Sequence, residues 1–182
     1  MSRSPDLTGL KARLGGAVER TAVSCGDTIA WVQKDRVHEA LAWLKEDQGY
    51  DYLVDITAVE YRDPELPLEI VWNLRSLRTA IDLRIKVSLD PTKPLEVPTV
   101  TDLWLGADWL EREVYDMFGV TFRGHPDLRR LLMWETYHEG HPLRKGFPLR
   151  GHFSRGEQTR QALAANPEAH YSLEELSIAE AY

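Results

Sequence analysis

The sequence predicts an α+β fold. We expect a two-layer domain with a mixed sheet of about five strands and two helices on one face, plus an extended C-terminal docking arm. Three observations lead there. Two short stretches carry apolar residues at helical spacing. Runs rich in β-branched and aromatic residues lie between and after them. Beyond residue 123 large apolar residues continue while their periodicity stops.

Leu7, Leu10, Leu14 and Val18 predict a first amphipathic helix, weakened by Gly15 and Gly16. Val23 to Val32 holds Cys25-Gly26-Asp27-Thr28 between apolar residues and predicts a short hairpin. Val37, Leu41 and Leu44 form a second helical stripe that ends at Gly49. Tyr52 to Tyr61, Leu68 to Leu77 and Ile81 to Leu89 predict three more strands. In the last, Ile81, Leu83, Ile85, Val87 and Leu89 alternate with Asp82, Arg84, Lys86 and Ser88, the pattern of a strand with one wet face. Pro91, Pro94 and Pro98 then end the regular structure. Three regions follow: a core at 1–98, a helical region at 99–122 and an arm with its tail at 123–182.

The helix of the middle region is predicted to start at Asp108, with Glu111 as its capping-box partner, and to stop at Gly119. Leu110, Val114, Met117 and Phe118 share one face, with Trp109, Arg112 and Asp116 opposite. The aperiodic segment beyond Arg123 still carries Leu128, Leu131, Leu132, Met133, Trp134, Phe147 and Leu149. Such a segment needs its own domain or another protein's surface to lie on.

Composition narrows the function classes. The 182 residues include a single cysteine, Cys25, which excludes an internal disulfide and a cysteine-ligated iron–sulfur cluster within the chain. No apolar run is long enough to span a bilayer, and the N-terminus lacks the features of a signal or transit peptide. The net charge is −7, unevenly spread. Residues 121–160 carry eight Lys/Arg against four Asp/Glu, between an acidic body and an acidic tail. That asymmetry points to a binding surface.

Three chemistries compete for the conspicuous residues. Glu111, Glu113 and Asp116 resemble paired carboxylates for acid–base work, but Arg112 between them fits a salt-bridged helix equally well. Trp109 with Arg112 and Asp116 has the make-up of an interface anchor, which we favour. His138 and His141 are three apart, but Gly140 and Pro142 prevent the helix that a zinc-protease arrangement needs. His141 is expected to fix a turn instead. Arg129, Arg130, Arg144, Lys145, Arg150, Arg155 and Arg160, interleaved with Trp134, Tyr137 and Phe147, match a single-strand nucleic-acid surface in kind. The acidic remainder and the lack of any nucleic-acid motif argue against that, and for an acidic protein partner.

Glu111, Arg112, Glu113, Asp116, Met117, Phe118, His125, Arg129, Leu131 and Leu132 together resemble the signature of the 30 kDa (C-type) subunit family of respiratory complex I, the proton-translocating NADH:quinone oxidoreductase. The runs Gly140 to Lys145 and Phe147 to Leu149 extend the likeness. The resemblance implies a subunit of the peripheral arm without flavin, iron–sulfur cluster or zinc of its own. FMN and Fe–S clusters would belong to partner subunits. The implied partners are the quinone-site (D, 49 kDa-type) subunit, the terminal-cluster (B-type) subunit and the ferredoxin-like (I-type) subunit. The docking surface it implies comprises Glu111, Arg112, Glu113, Asp116, His125, Pro126, Arg129, Arg130, Pro142, Arg144 and Lys145. Membrane association would arise only through the complex, on the cytoplasmic side of a bacterial plasma membrane. Gly146 departs from the family pattern, which usually has an acid there, so one ion pair is absent or supplied by the partner. The alternative is a homologous subunit of a membrane-bound hydrogenase or a ferredoxin- or F420-linked complex.

Overall fold

Five strands form one mixed sheet in the computed structural model, which describes residue 5, residues 7–63 and residues 67–165. The elements are α1 (Thr8–Leu14), β1 (Val18–Ser24), β2 (Asp27–Val32), α2 (Val37–Glu46), β3 (Tyr52–Val59), β4 (Leu68–Ser76), β5 (Ile81–Leu89), β6 (Glu96–Pro98), α3 (Ala107–Phe118), β7 (Thr121–Arg123) and α4 (Arg155–Ala165). The sheet order is β1-β2-β5-β4-β3. Only the central β2–β5 pair is parallel. The predicted α+β class therefore stands.

The alternation in β5 sets the layers. Leu83, Ile85, Val87 and Leu89 enter the core, where Leu10 and Leu14 of α1 and Val37, Ala40, Leu41 and Leu44 of α2 meet them. The opposite face of the sheet is polar. Its centre is Glu69, which is buried and accepts hydrogen bonds from Trp31 Nε1 at 2.6 Å, Tyr61 Oη at 2.7 Å and Lys86 Nζ at 2.7 Å. Burial alone would raise the Glu69 carboxyl, but the bonds from Lys86, Tyr61 and Trp31 hold it below the usual range. Arg20 stacks on Trp31 at 3.8 Å from the ring centre.

Three details differ from expectation. The first helix stops at Leu14, because Gly15 turns with φ 56°, and Val18 already begins β1. The prolines after β5 do not end all pairing: β6 runs parallel to β7, from Glu96 opposite Thr121 to Pro98 opposite Arg123. Parallel neighbours need a crossover, and α3 is that crossover. The arm is not wholly irregular, since α4 forms near its end, although none of its residues is buried. Residues 166–182, most of the predicted tail, lie outside the described residues.

Candidate functional site

The signature residues converge on α3 and the chain that follows it. Helix α3 packs on β3 and contributes Ala107, Val114, Met117 and Phe118 to the core. It starts at Gly106 without a side-chain cap, so the predicted Asp108–Glu111 capping box does not form. Glu111 turns to other partners, and at Asp108 the backbone carbonyl carries the hydrogen bond. His125 Nε2 lies 3.2 Å from the Asp108 carbonyl and 3.3 Å from its carboxylate. The Asp127 N–H donates to His125 Nδ1 at 3.0 Å, so the ring proton sits on Nε2.

Glu111 is completely buried. Its carboxylate accepts from the Val100 N–H at 2.7 Å and pairs with Thr99 Oγ1 at 2.6 Å. The β6–α3–β7 crossover explains this meeting: Thr99 leaves β6 directly beneath the first turns of α3. No hydrogen bond or ion pair links a cation to Glu111 among the described residues. Burial therefore pushes its carboxyl up to about 7, with Asp102 and Asp108 adding to the rise and the bonds from Thr99 and Val100 opposing it.

Arg112 and Asp116 lie one turn apart and clamp the chain after β7. The Arg112 guanidinium donates to the Arg129 carbonyl at 3.2 Å and the Arg130 carbonyl at 3.0 Å. Asp116 Oδ2 accepts three successive backbone N–H groups, from Leu131 at 3.1 Å, Leu132 at 2.7 Å and Met133 at 2.8 Å. Its Oδ1 accepts from Arg130, whose other nitrogen donates to the Gly140 carbonyl at 3.1 Å. Burial would raise the Asp116 carboxyl, but the N–H of Met133, the Arg130 guanidinium and the N–H groups of Leu132 and Leu131 hold it below the usual range. One helix thus offers a cation to carbonyls and an anion to N–H groups of the same short segment. An irregular segment needs partners for its backbone groups in this way.

The arm then runs back along α3. His141 Nδ1 lies 2.9 Å from the Asp116 carbonyl, so the ring fixes helix to arm, while the turn foreseen at this position is closed by the backbone, the Arg144 N–H donating to the His141 carbonyl at 3.1 Å. That ring fills the space beside Gly119, where an added Cβ would lie 2.6 Å from it. Gly119 also ends the helix with φ 77°. The Leu143 N–H donates to the Met117 carbonyl at 3.0 Å. Arg144 reaches Glu60 at 3.1 Å and the Phe118 carbonyl at 3.2 Å, and the Lys145 N–H donates to Glu60 at 2.6 Å. A side chain at Gly146 would meet open space.

One part of the sequence reading needs correction. Helical spacing puts Arg112 and Asp116 with Trp109 on an outward face, yet both are buried, as is Glu111, while Trp109 is 61% exposed. The helical period shows which face avoids the core. It does not show that the chain's own arm covers half of that face. Of the other predicted docking residues, Glu113, Pro126, Arg129 and Lys145 are exposed, and His125, Arg130, Pro142 and Arg144 are half-buried. Glu60, Thr99 and Val100 escape a reading of the sequence, having no local pattern that marks them.

The respiratory-chain NADH dehydrogenase 30 Kd subunit family matches residues 30–153, which takes in the end of β2, the elements from α2 to β7, the clamp and the arm as far as Phe153. The chain belongs to this family. A C-type NADH-quinone oxidoreductase subunit of Rhizobium meliloti, the one numbered 2, is 44% identical over 153 residues, 82% of each chain. The C/D-type NADH-quinone oxidoreductase subunit of Acinetobacter baylyi is 44% identical over 128 residues, 66% of this chain and 21% of that one. The chain spans 46% and 54% of two further C-type relatives, from Novosphingobium aromaticivorans and Erythrobacter litoralis. Among solved structures, the trypsin-resistant fragment (1-134) of Nqo5 matches with TM-score 0.57 and 33% identity, over 65% of this chain and 95% of the fragment. A chain of the archaeal membrane-bound sulfane sulfur reductase matches 91% of this chain and 96% of its own length, with TM-score 0.66. At 20% identity that likeness is one of fold. The chain is thus a subunit of the NADH-quinone oxidoreductase type. No helix among the described residues is long and apolar enough to cross a membrane.

Proposed function

We propose that this chain is a cofactor-free peripheral-arm subunit that docks on and supports the quinone-site subunit of a proton-translocating NADH:quinone oxidoreductase. FMN and the Fe–S clusters sit in its partners, and the terminal-cluster and ferredoxin-like subunits lie close to it. The complex moves electrons from NADH to quinone, and the chain holds its place on the cytoplasmic side of a bacterial plasma membrane. Catalytic residues belong to the partners.

The observation that carries this reading is the clamp. Arg112, Asp116, Arg130, His141 and Arg144 are all committed to holding residues 129–145 against α3 and Glu60. The clamp fixes an arm that leaves Leu132, Leu143, Leu149 and Phe153 exposed. A segment with that composition suits a partner surface. One comparison favours the same view. The Acinetobacter relative bears the double name C/D on one polypeptide, which suits a C-type module lying against a D-type one. The identity to named NADH-quinone oxidoreductase subunits favours this reading over the hydrogenase alternative.

The test is a pull-down of the tagged chain from membranes in mild detergent, with mass spectrometry of the recovered proteins. The expected result is stoichiometric recovery of the quinone-site, terminal-cluster and ferredoxin-like subunits. Recovery of a nickel–iron hydrogenase subunit, or of none of these proteins, overturns the reading.

A further inference from the structure

Trp109 stands apart among the six tryptophans of the chain. Trp31, Trp72 and Trp104 are buried, Trp43 and Trp134 are half-buried, and Trp109 is 61% exposed. Its ring lies 5.4 Å from the Arg112 guanidinium, which is itself fixed by two carbonyls. The indole is therefore held on a rigid helix by a rigid neighbour, at little further entropic cost on binding. Leu105, four residues earlier, is 90% exposed. Glu113, four residues later on the same helix face, is exposed and has no hydrogen bond or ion pair among the described residues. Leu105 sits in the turn just before α3, and the helix face that carries Trp109 continues to a free carboxylate at Glu113, unlike Glu111 and Asp116 on the inner side.

We infer that Leu105, Trp109 and Glu113 form the anchor of a protein–protein contact separate from the arm. The partner segment presents an apolar side chain to Leu105 and Trp109 and an Arg or Lys to Glu113. The charge assignment follows from complementarity: an unpaired carboxylate beside an apolar anchor is desolvated on docking and needs a cation opposite it. A pre-positioned Trp is the residue type that most often dominates such contacts. The inference rests on the docking role proposed above and names its attachment point on α3.

The test places a photoreactive phenylalanine analogue at position 109 of the full-length chain in membranes that hold the assembled complex. The same probe at exposed Val23 is the control. The expected result is one dominant cross-link, about ten-fold above control as suits a hot-spot position, to a partner peptide containing Arg or Lys. A cross-link no stronger than at Val23, or only to lipid or a second copy of this chain, overturns the inference. Glu113→Arg gives an independent reading. It should leave the Tm of the purified chain unchanged, weaken retention in the complex on the order of 30-fold, and regain retention when the cross-linked basic residue is changed to Glu. Unchanged retention overturns the charge assignment. Full recovery of the complex with a silent probe refutes this anchor alone, whereas failure to recover the complex at all refutes the docking role as well.

Discussion

At the residue scale, α3 holds two buried carboxylates in opposite electrostatic situations. Glu111 is buried with hydrogen bonds but no counter-charge, and its carboxyl titrates near 7 in the fold, above the ordinary value of 4.5. A raised carboxyl binds its proton more tightly in the folded state. Its contribution is therefore complete below about pH 4.5 and is lost as pH rises through about 7. Glu111→Gln should remove that slope, gaining on the order of 3 kcal/mol relative to wild type between the two ends of the window. Urea unfolding at pH 5 and pH 8 measures this, and parallel slopes for the two proteins would refute it. Asp116 is the opposite case, an anion met by three N–H groups and a guanidinium. Asp116→Ala should cost about 3–5 kcal/mol, because it strands the Arg130 charge and those donors. The cost should appear as lost hydrogen-exchange protection at Leu131, Leu132 and Met133. Gly119 is irreplaceable on two counts, its φ of 77° and the His141 ring 2.6 Å from where a Cβ would go. Gly119→Ala should lower stability by roughly 2 kcal/mol or more, read as a fall in Tm.

At the element scale, strands β2 to β5 and the helices α2 and α3 were legible in the sequence from their apolar stripes and runs. Strand β1 was legible only at its hairpin end, because none of its residues is buried and Val18 continues the spacing of the first helix. The parallel β6–β7 pair was not, since three residues hold no period, and Pro98 argues against a strand. The clamp was half legible. The signature at Glu111 to Leu132 contains Arg112, Asp116 and Arg130, but their inward direction depends on where the arm returns. Glu60 had no signal at all, because its partners Arg144 and Lys145 lie more than eighty residues away. The arm itself divides into two parts. Residues 129–145 are fastened by named bonds to α3 and Glu60, whereas Leu149 beyond them is fully exposed. In the isolated chain, amide exchange should therefore be slowed at 131–133 and 143–145 and at the bonded amides of Phe147, Gly151 and His152, and fast at Gly146, Leu149, Arg150 and Phe153. In the assembled complex, protection should extend across 146–153. Equal protection of 146–153 in both forms would refute docking by that segment.

At the scale of the whole molecule, the sheet and its helices serve as a platform, α3 as a bracket and the arm as the part presented. The two layers of polar chemistry do different work. The Glu69 cage stabilises the open sheet face and is remote in sequence from the signature. In the docking role proposed above, the clamp shapes the surface offered to partners. A defect in the clamp should therefore separate assembly from folding. The most direct test compares wild type with Asp116→Asn in membranes, counting quinone-site subunit recovered per tagged chain while following Tm of the purified proteins. The expected result is a cooperative fold that persists with a lowered Tm and a recovery reduced about ten-fold or more, with NADH:quinone activity falling in proportion. Full recovery of the partner with residues 129–145 released, seen as lost exchange protection, would contradict the clamp's role in docking.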